Sequence, residues 1–172
     1  MIKRWVLGSA LLVLIFSFVM YANMGLPWEY LKAKENFNQH LSSYEIEMVL
    51  DELGYDFLHG GYHGKAHPKN NPDLQFYIGQ NSRTNQIEDE YAYQRLRKRA
   101  NREVKMILDK YLPNRILPEP EVEVVNVDTH ALEINVETRN VVDGQTKAKI
   151  KQAIIEKGFK PEQLMFGSND GI

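Results

Sequence analysis

The hydrophobic pattern divides the chain into one apolar run and a longer mixed region. From Trp5 to Ala22 the sequence is uncharged and almost wholly apolar, and it stays uncharged through Asn23, Met24, Gly25 and Leu26. A bilayer needs about 20 such residues in a helix, so residues 5–26 are expected to form a transmembrane anchor. Beyond it, Trp28 to Leu41 carries Tyr30 or Leu31, Lys34, Phe37 and Leu41 at helical spacing, which predicts a juxtamembrane helix over 27–41 with Pro27 in its first turn. Ile46, Val49, Leu50 and Leu53 form a stripe that predicts a second helix, capped by Gly54. Tyr55, Phe57 and Tyr62, then Leu74 to Ile78, read as a β-hairpin whose long tip holds Pro68, Asn70, Asn71 and Pro72.

The strongest helical pattern runs from Gln86 to Leu112. Leu96, Ala100, Val104, Ile107, Leu108 and Tyr111 share one arc, and Pro113 ends it. Acidic Glu88, Asp89 and Glu90 are placed in its first turn. Leu117-Pro118-Glu119-Pro120 reads as a stiff connection. Two strands follow. Val122 and Val124 share a face, and Leu132, Ile134 and Val136 alternate with Glu133, Asn135 and Glu137. Asp143-Gly144 turns into a helix over Gln145 to Lys157, and Gln163 to Phe166 suits a last edge strand. The expected fold is α+β: a transmembrane helix, then one small domain with a mostly antiparallel sheet and helices packed on one face. Its boundaries are a cytoplasmic N-terminus over 1–4, the anchor over 5–26, the juxtamembrane helix over 27–41, an extracytoplasmic domain over 42–166 and a frayed tail over 167–172.

Charge sets the orientation. Lys3 and Arg4 lie on the short N-terminal side, so the N-terminus is expected in the cytoplasm and the rest outside. A cleaved signal peptide is the alternative, but a cut after Ala22 leaves Met20 at the −3 position, where a small residue is preferred. The uncharged run is also long for a signal core. Without Lys3 and Arg4, 19 basic residues face 23 acidic ones, which disfavours nucleic acid as a partner. The chain has no Cys, which excludes disulfides, thiol catalysis and Cys-based metal sites. For an exported domain of this size, a Cys-free chain inclines toward a bacterial envelope, particularly a Gram-positive one.

Three of the five His lie within nine residues, at His59, His63 and His67. Imidazoles suit zinc and copper. In a strand, however, residues four apart stand about 13 Å from each other at roughly 3.3 Å per residue. A shared ion therefore requires a loop or bulge that folds the three together. Otherwise they are surface residues of a Gly-loosened strand. Gly60-Gly61 opens no phosphate loop, since no Gly-Lys-Ser/Thr follows. No Ser stands in a nucleophile motif. Arg95, Arg97, Lys98, Arg99 and Arg102 fall mostly away from the apolar arc of the long helix and read as a solvated face. The acidic residues alternating along 121–137 read as the solvent side of a sheet.

The layout resembles small single-pass membrane-anchored proteins of Bacillus-type Gram-positive bacteria, in families to which no activity is assigned. The features that carry the likeness are the short basic N-terminus, the single apolar segment, the aromatic hairpin from Tyr62 to Ile78 with Pro72-Asp73-Leu74-Gln75-Phe76, and Glu88-Asp89-Glu90-Tyr91. The resemblance implies a Gram-positive cell-surface setting and offers no catalytic residues that could be carried over. Together these readings lead to the expectation of a membrane-anchored, non-enzymatic binding domain. Its partner would be an envelope protein, a peptide or a wall polymer, contacted through Tyr62, Phe76 and Tyr77. Metal binding through His59, His63 and His67, and a structural role in a membrane complex, are the alternatives.

Overall fold

The computed structural model describes residues 2–81, 83–113 and 119–168. Its elements run α1 (Ile2–Met24), α2 (Pro27–Leu41), β1 (Met48–Asp56), β2 (Gly61–Pro68), β3 (Phe76–Gln80), β4 (Ile87–Asp89), α3 (Tyr91–Tyr111), β5 (Glu121–Asn126), β6 (Ala131–Thr138), α4 (Gly144–Glu156) and β7 (Lys160–Ser168). This is an α+β chain with a long apolar N-terminal helix. It divides into two compact units, Met1–Tyr91 and Ala92–Ile172. Leu117 and Pro118 of the expected stiff connection, and residues 169–172 of the expected tail, lie outside the described residues. Gly167 and Ser168 belong to β7.

In the first unit, β1, β2, β3 and β4 form an antiparallel sheet in that order. Helix α2 packs on one of its faces. Ala33, Phe37 and Leu41 of α2 are buried with Tyr62, Ala66, Leu74, Phe76, Ile78 and Tyr91. The expected second helix over Ile46 to Leu53 is instead a bend leading into β1 at Met48, and a bulge explains the misleading pattern. Leu50 pairs with Ala66 and Glu52 with Lys65, so Asp51 has no partner opposite it. The extra residue shifts the alternation by one. Met48, Leu50, Leu53 and Tyr55 therefore all pack on the core at spacings that imitate a helix. Gly64 makes the bulge possible: a Cβ there would stand 2.3 Å from the Glu52 carbonyl oxygen.

The junction between α1 and α2 is built rather than loose. Gly25 takes a φ of +67°, and its N–H donates to the Tyr21 carbonyl at 2.8 Å, ending α1 in a left-handed cap. The Tyr62 hydroxyl donates to the Met24 carbonyl at 3.2 Å. Residues from Leu11 to Tyr21 stay largely exposed. Among the described residues, one helix is long and apolar enough to serve as a membrane anchor or a signal sequence.

In the second unit, β5 and β6 are antiparallel, while β6 and β7 are parallel with α4 as the crossover. Leu96, Ala100, Val104, Ile107 and Leu108 of α3 join Ile150 and Ile154 of α4 on the inner face of this sheet, against Val122, Val124, Leu132, Ile134 and Val136. Glu121, Glu123 and Glu137 are exposed on the alternate positions. The Asp143 carboxylate caps α4 by accepting from the Thr146 N–H at 2.9 Å. The basic run of α3 is partly engaged here. The Arg99 guanidinium donates to the Lys157 carbonyl at 3.0 Å and lies 5.1 Å from the Phe159 ring centre. Glu103 pairs with Lys157 at 2.9 Å.

Candidate functional site

The open face of the first sheet, opposite α2, carries His63, His67 and Tyr77, three of the six residues singled out in the sequence. Alternation along β2 decides which side chains reach it. Tyr62, Ala66 and Pro68 turn inward and are buried, while His63, Lys65 and His67 turn outward. Each of two outward side chains on β2 meets a carboxylate from β1. His67 Nε2 lies 3.1 Å from Asp51 Oδ1, and Lys65 Nζ lies 3.2 Å from Glu52 Oε2. In the turn between these strands, His59 Nδ1 lies 2.6 Å from Asp56 Oδ2. The His59 hydrogen bond holds the Asp56 carboxyl below the usual carboxylate range.

His63 departs from this pattern. It stands between two glycines, paired with Gly54 of β1 and Gly79 of β3. A Cβ on Gly54 would meet His63 Nε2 at 3.3 Å, so the imidazole lies over that glycine. The Tyr77 ring covers Gly79 in the same way and stacks on His63, with ring centres 6.0 Å apart and planes 16° from parallel. Tyr77 remains 47 % exposed. Partial burial, with the negative charges of Asp56 and Glu90, raises its pKa. It therefore presents a neutral phenol and a flat ring, a surface suited to stacking and hydrogen bonding.

The three His do not converge. His63 and His67 occupy one strand four residues apart, and His59 sits in the turn with its own carboxylate. Among the described residues, no group of three or more His, Cys, Asp and Glu side chains stands close enough to hold a metal ion. Of the three aromatics expected to contact a partner, only Tyr77 is on the surface. Tyr62 and Phe76 are core residues, because both fall on the inward phase of their strands. Burial pushes the Tyr62 phenol up to about 12.

Two further constellations were not legible beforehand. Asp89 accepts from the Tyr44 hydroxyl at 2.7 Å and from the Tyr91 N–H at 2.9 Å, and it lies 2.6 Å from His40 Nε2. Its side chain is nearly buried, and this network ties the end of α2 to β4 and Tyr91 within the first unit. The sequence pattern placed Asp89 in a helical turn. In the fold it belongs to β4, and nearly 50 positions separate it from His40. The second is the β1–β2 turn, where Phe57 and Leu58 are exposed beside α1. Its signal was a pair of consecutive apolar residues just before Gly60-Gly61. Comparison with known protein families, with curated proteins and with solved structures finds no match.

Proposed function

We propose that the chain is a single-pass membrane protein of a bacterial envelope, with its N-terminus in the cytoplasm and its α+β portion outside. That portion binds another envelope component and catalyses no reaction. The observation that carries this reading is α1 itself. It is a helix of 23 residues, and its apolar side chains from Leu11 to Val19 are left exposed by the rest of the molecule. Such a surface is costly in water and at home in lipid. Lys3 and Arg4 favour the inward orientation of the N-terminus.

The polar groups on the open face support binding over catalysis. Lys65 and His67, like His59 in the adjoining turn, are each held by a carboxylate. Tyr77 and His63 offer the flat aromatic patch through which a protein, peptide or polymer would be held. The test is a photoreactive amino acid placed at Tyr77 in membranes of intact cells, with the same residue at Lys160 as comparison. A discrete adduct from Tyr77 and none from Lys160 supports the reading. Absence of adducts from both overturns a binding role for this face. It then favours a structural role exerted through α1, where Gly8, Ser9, Ala10 and Ser17 are small enough for close helix packing.

A further inference from the structure

The β1–β2 turn stands beside the apolar helix, and three observations there point the same way. The first is contact. The Phe57 ring packs edge-on against Phe18 and Tyr21 of α1, with ring centres 6.2 and 5.9 Å apart. Tyr55 continues the seam, 6.0 Å from Tyr21 and 5.1 Å from Tyr62. The turn is therefore fixed at the level of Phe18 to Tyr21 along the α1 axis.

The second is depth. The charges at Lys3 and Arg4 set the inner end of the span at about Trp5. A hydrocarbon core of about 30 Å takes about 20 residues at 1.5 Å each, which places its outer edge near Met24. Phe18 then lies roughly 9 Å inside that edge. Tyr21, the second α1 contact of Phe57, lies roughly 5 Å inside it, so a turn projecting from this stretch meets the outer boundary of the membrane.

The third is chemistry. Leu58 at the apex is 85 % exposed and Phe57 is 47 % exposed, both large for an aqueous turn. Three N–H groups of the turn are bonded within it. Asp56 Oδ1 accepts from the N–H groups of Leu58 and His59 at 3.0 and 3.1 Å, and the Asp56 carbonyl accepts from Gly60 at 2.7 Å. The one carboxylate is paired with His59. Gly60, at a φ of +68°, lets the chain reverse within this short span. An apolar apex with its amides bonded inward is what a bilayer interface requires of a non-helical segment.

We propose that this turn is a second membrane contact: Phe57 and Leu58 insert into the outer boundary of the bilayer that α1 crosses, and so fix the first unit against the lipid surface. The inference rests on the single-pass reading above and extends it from a tether to a two-point attachment. Its consequence is that the open face of the sheet is held at a set angle to the membrane rather than swinging on a linker.

The Cys-free chain allows a direct test. The full-length protein is reconstituted in phosphatidylcholine–phosphatidylglycerol vesicles with a single polarity-sensitive fluorophore at Val13→Cys, Leu58→Cys or Lys69→Cys. Val13 reports insertion of α1, and Lys69 lies just beyond the opposite end of β2. The proposal expects blue-shifted emission, quenched by spin-labelled lipid, from Val13 and Leu58, with water-like emission from Lys69. Water-like emission from Leu58 with an inserted Val13 overturns the second contact and leaves the anchor standing. Water-like emission from Val13 overturns both. Blue-shifted emission from Leu58 that spin-labelled lipid does not quench also overturns it, since protein would then cover the turn. Leu58 is exposed enough for the substitution to leave folding intact.

Discussion

Replacing Phe37 by alanine tests whether α2 is an integral part of the first unit or a stalk. Phe37 is fully buried, 0 % exposed, between α2 and the sheet. A phenylalanine buries about 150–250 Å², most of it in the ring. At about 25 cal/mol per Å², losing the ring costs roughly 2–4 kcal/mol of transfer free energy. The unfilled space left behind brings the expected loss to about 3–5 kcal/mol. That is a large share of the roughly 5–15 kcal/mol that holds a domain together. The assay is amide hydrogen exchange on the full-length protein in a mild non-ionic detergent, which resolves the two units separately. Amides of β2 and β3 should exchange about 100-fold faster or more, since each 1.4 kcal/mol is about tenfold. Leu31→Ala, on the same helix but at a position 66 % exposed, should change protection by less than about threefold. The reasoning is refuted if Phe37→Ala speeds β2 and β3 by less than about fivefold, roughly 1 kcal/mol, because α2 would then contribute no core.

Three other expectations follow from the geometry. Tyr62 ionises near 12 in the fold against 10.0 for a free tyrosine. Its contribution to stability is therefore constant below pH 10 and is lost as pH rises from 10 toward 12. Tyr62→Phe should cost about 1 kcal/mol at neutral pH through the bond to Met24 and flatten that alkaline decline, as urea titrations at stepped pH would register. Gly25 and Gly60 share a left-handed backbone, with φ of +67° and +68°, but only Gly25 is crowded, with a Cβ position 2.5 Å from the Tyr62 hydroxyl. Gly60→Ala should cost about 1 kcal/mol of backbone strain and Gly25→Ala clearly more; equal losses in denaturant midpoints would contradict the crowding. Zinc or copper titration by calorimetry should give no saturable one-to-one binding that His63→Ala abolishes, since His59 and His67 are held apart by their own carboxylates.

Much of the architecture was readable because it rests on long, regular periods. The arc of Leu96, Ala100, Val104, Ile107 and Leu108 is the buried face of α3, and the alternation of Leu132, Ile134 and Val136 is the inner face of β6. A final edge strand was also legible, though neither its partner β6 nor the parallel direction of the pair was. The stripe from Ile46 to Leu53 misled because a bulge at Asp51 turns a period of two into helical spacing. The start of α3 misled because Ile87–Asp89 pairs with β3 before the helix begins at Tyr91.

At the site, the problem was phase rather than residue type. Tyr62, Phe76 and Tyr77 have the same aromatic character, yet the pleat sends the first two into the core and leaves the third outside. Which phase faces inward is set by where α2 docks, and that is not a local property of the hairpin. The proximity of the β1–β2 turn to α1 is likewise a long-range outcome, some 40 positions apart in sequence. The strand geometry of His63 and His67 was the exception, since strand spacing alone separates them by too much to share an ion.

The account's central claim is that α1 crosses the membrane and places both α+β units outside. The most direct measurement is labelling of a single cysteine, introduced as Lys160→Cys on an exposed position of β7, with a membrane-impermeant maleimide in intact cells. The account predicts full labelling before lysis, on a membrane-bound protein whose mass still includes residues 5–26. Labelling that occurs only after lysis would place the domain in the cytoplasm and contradict it.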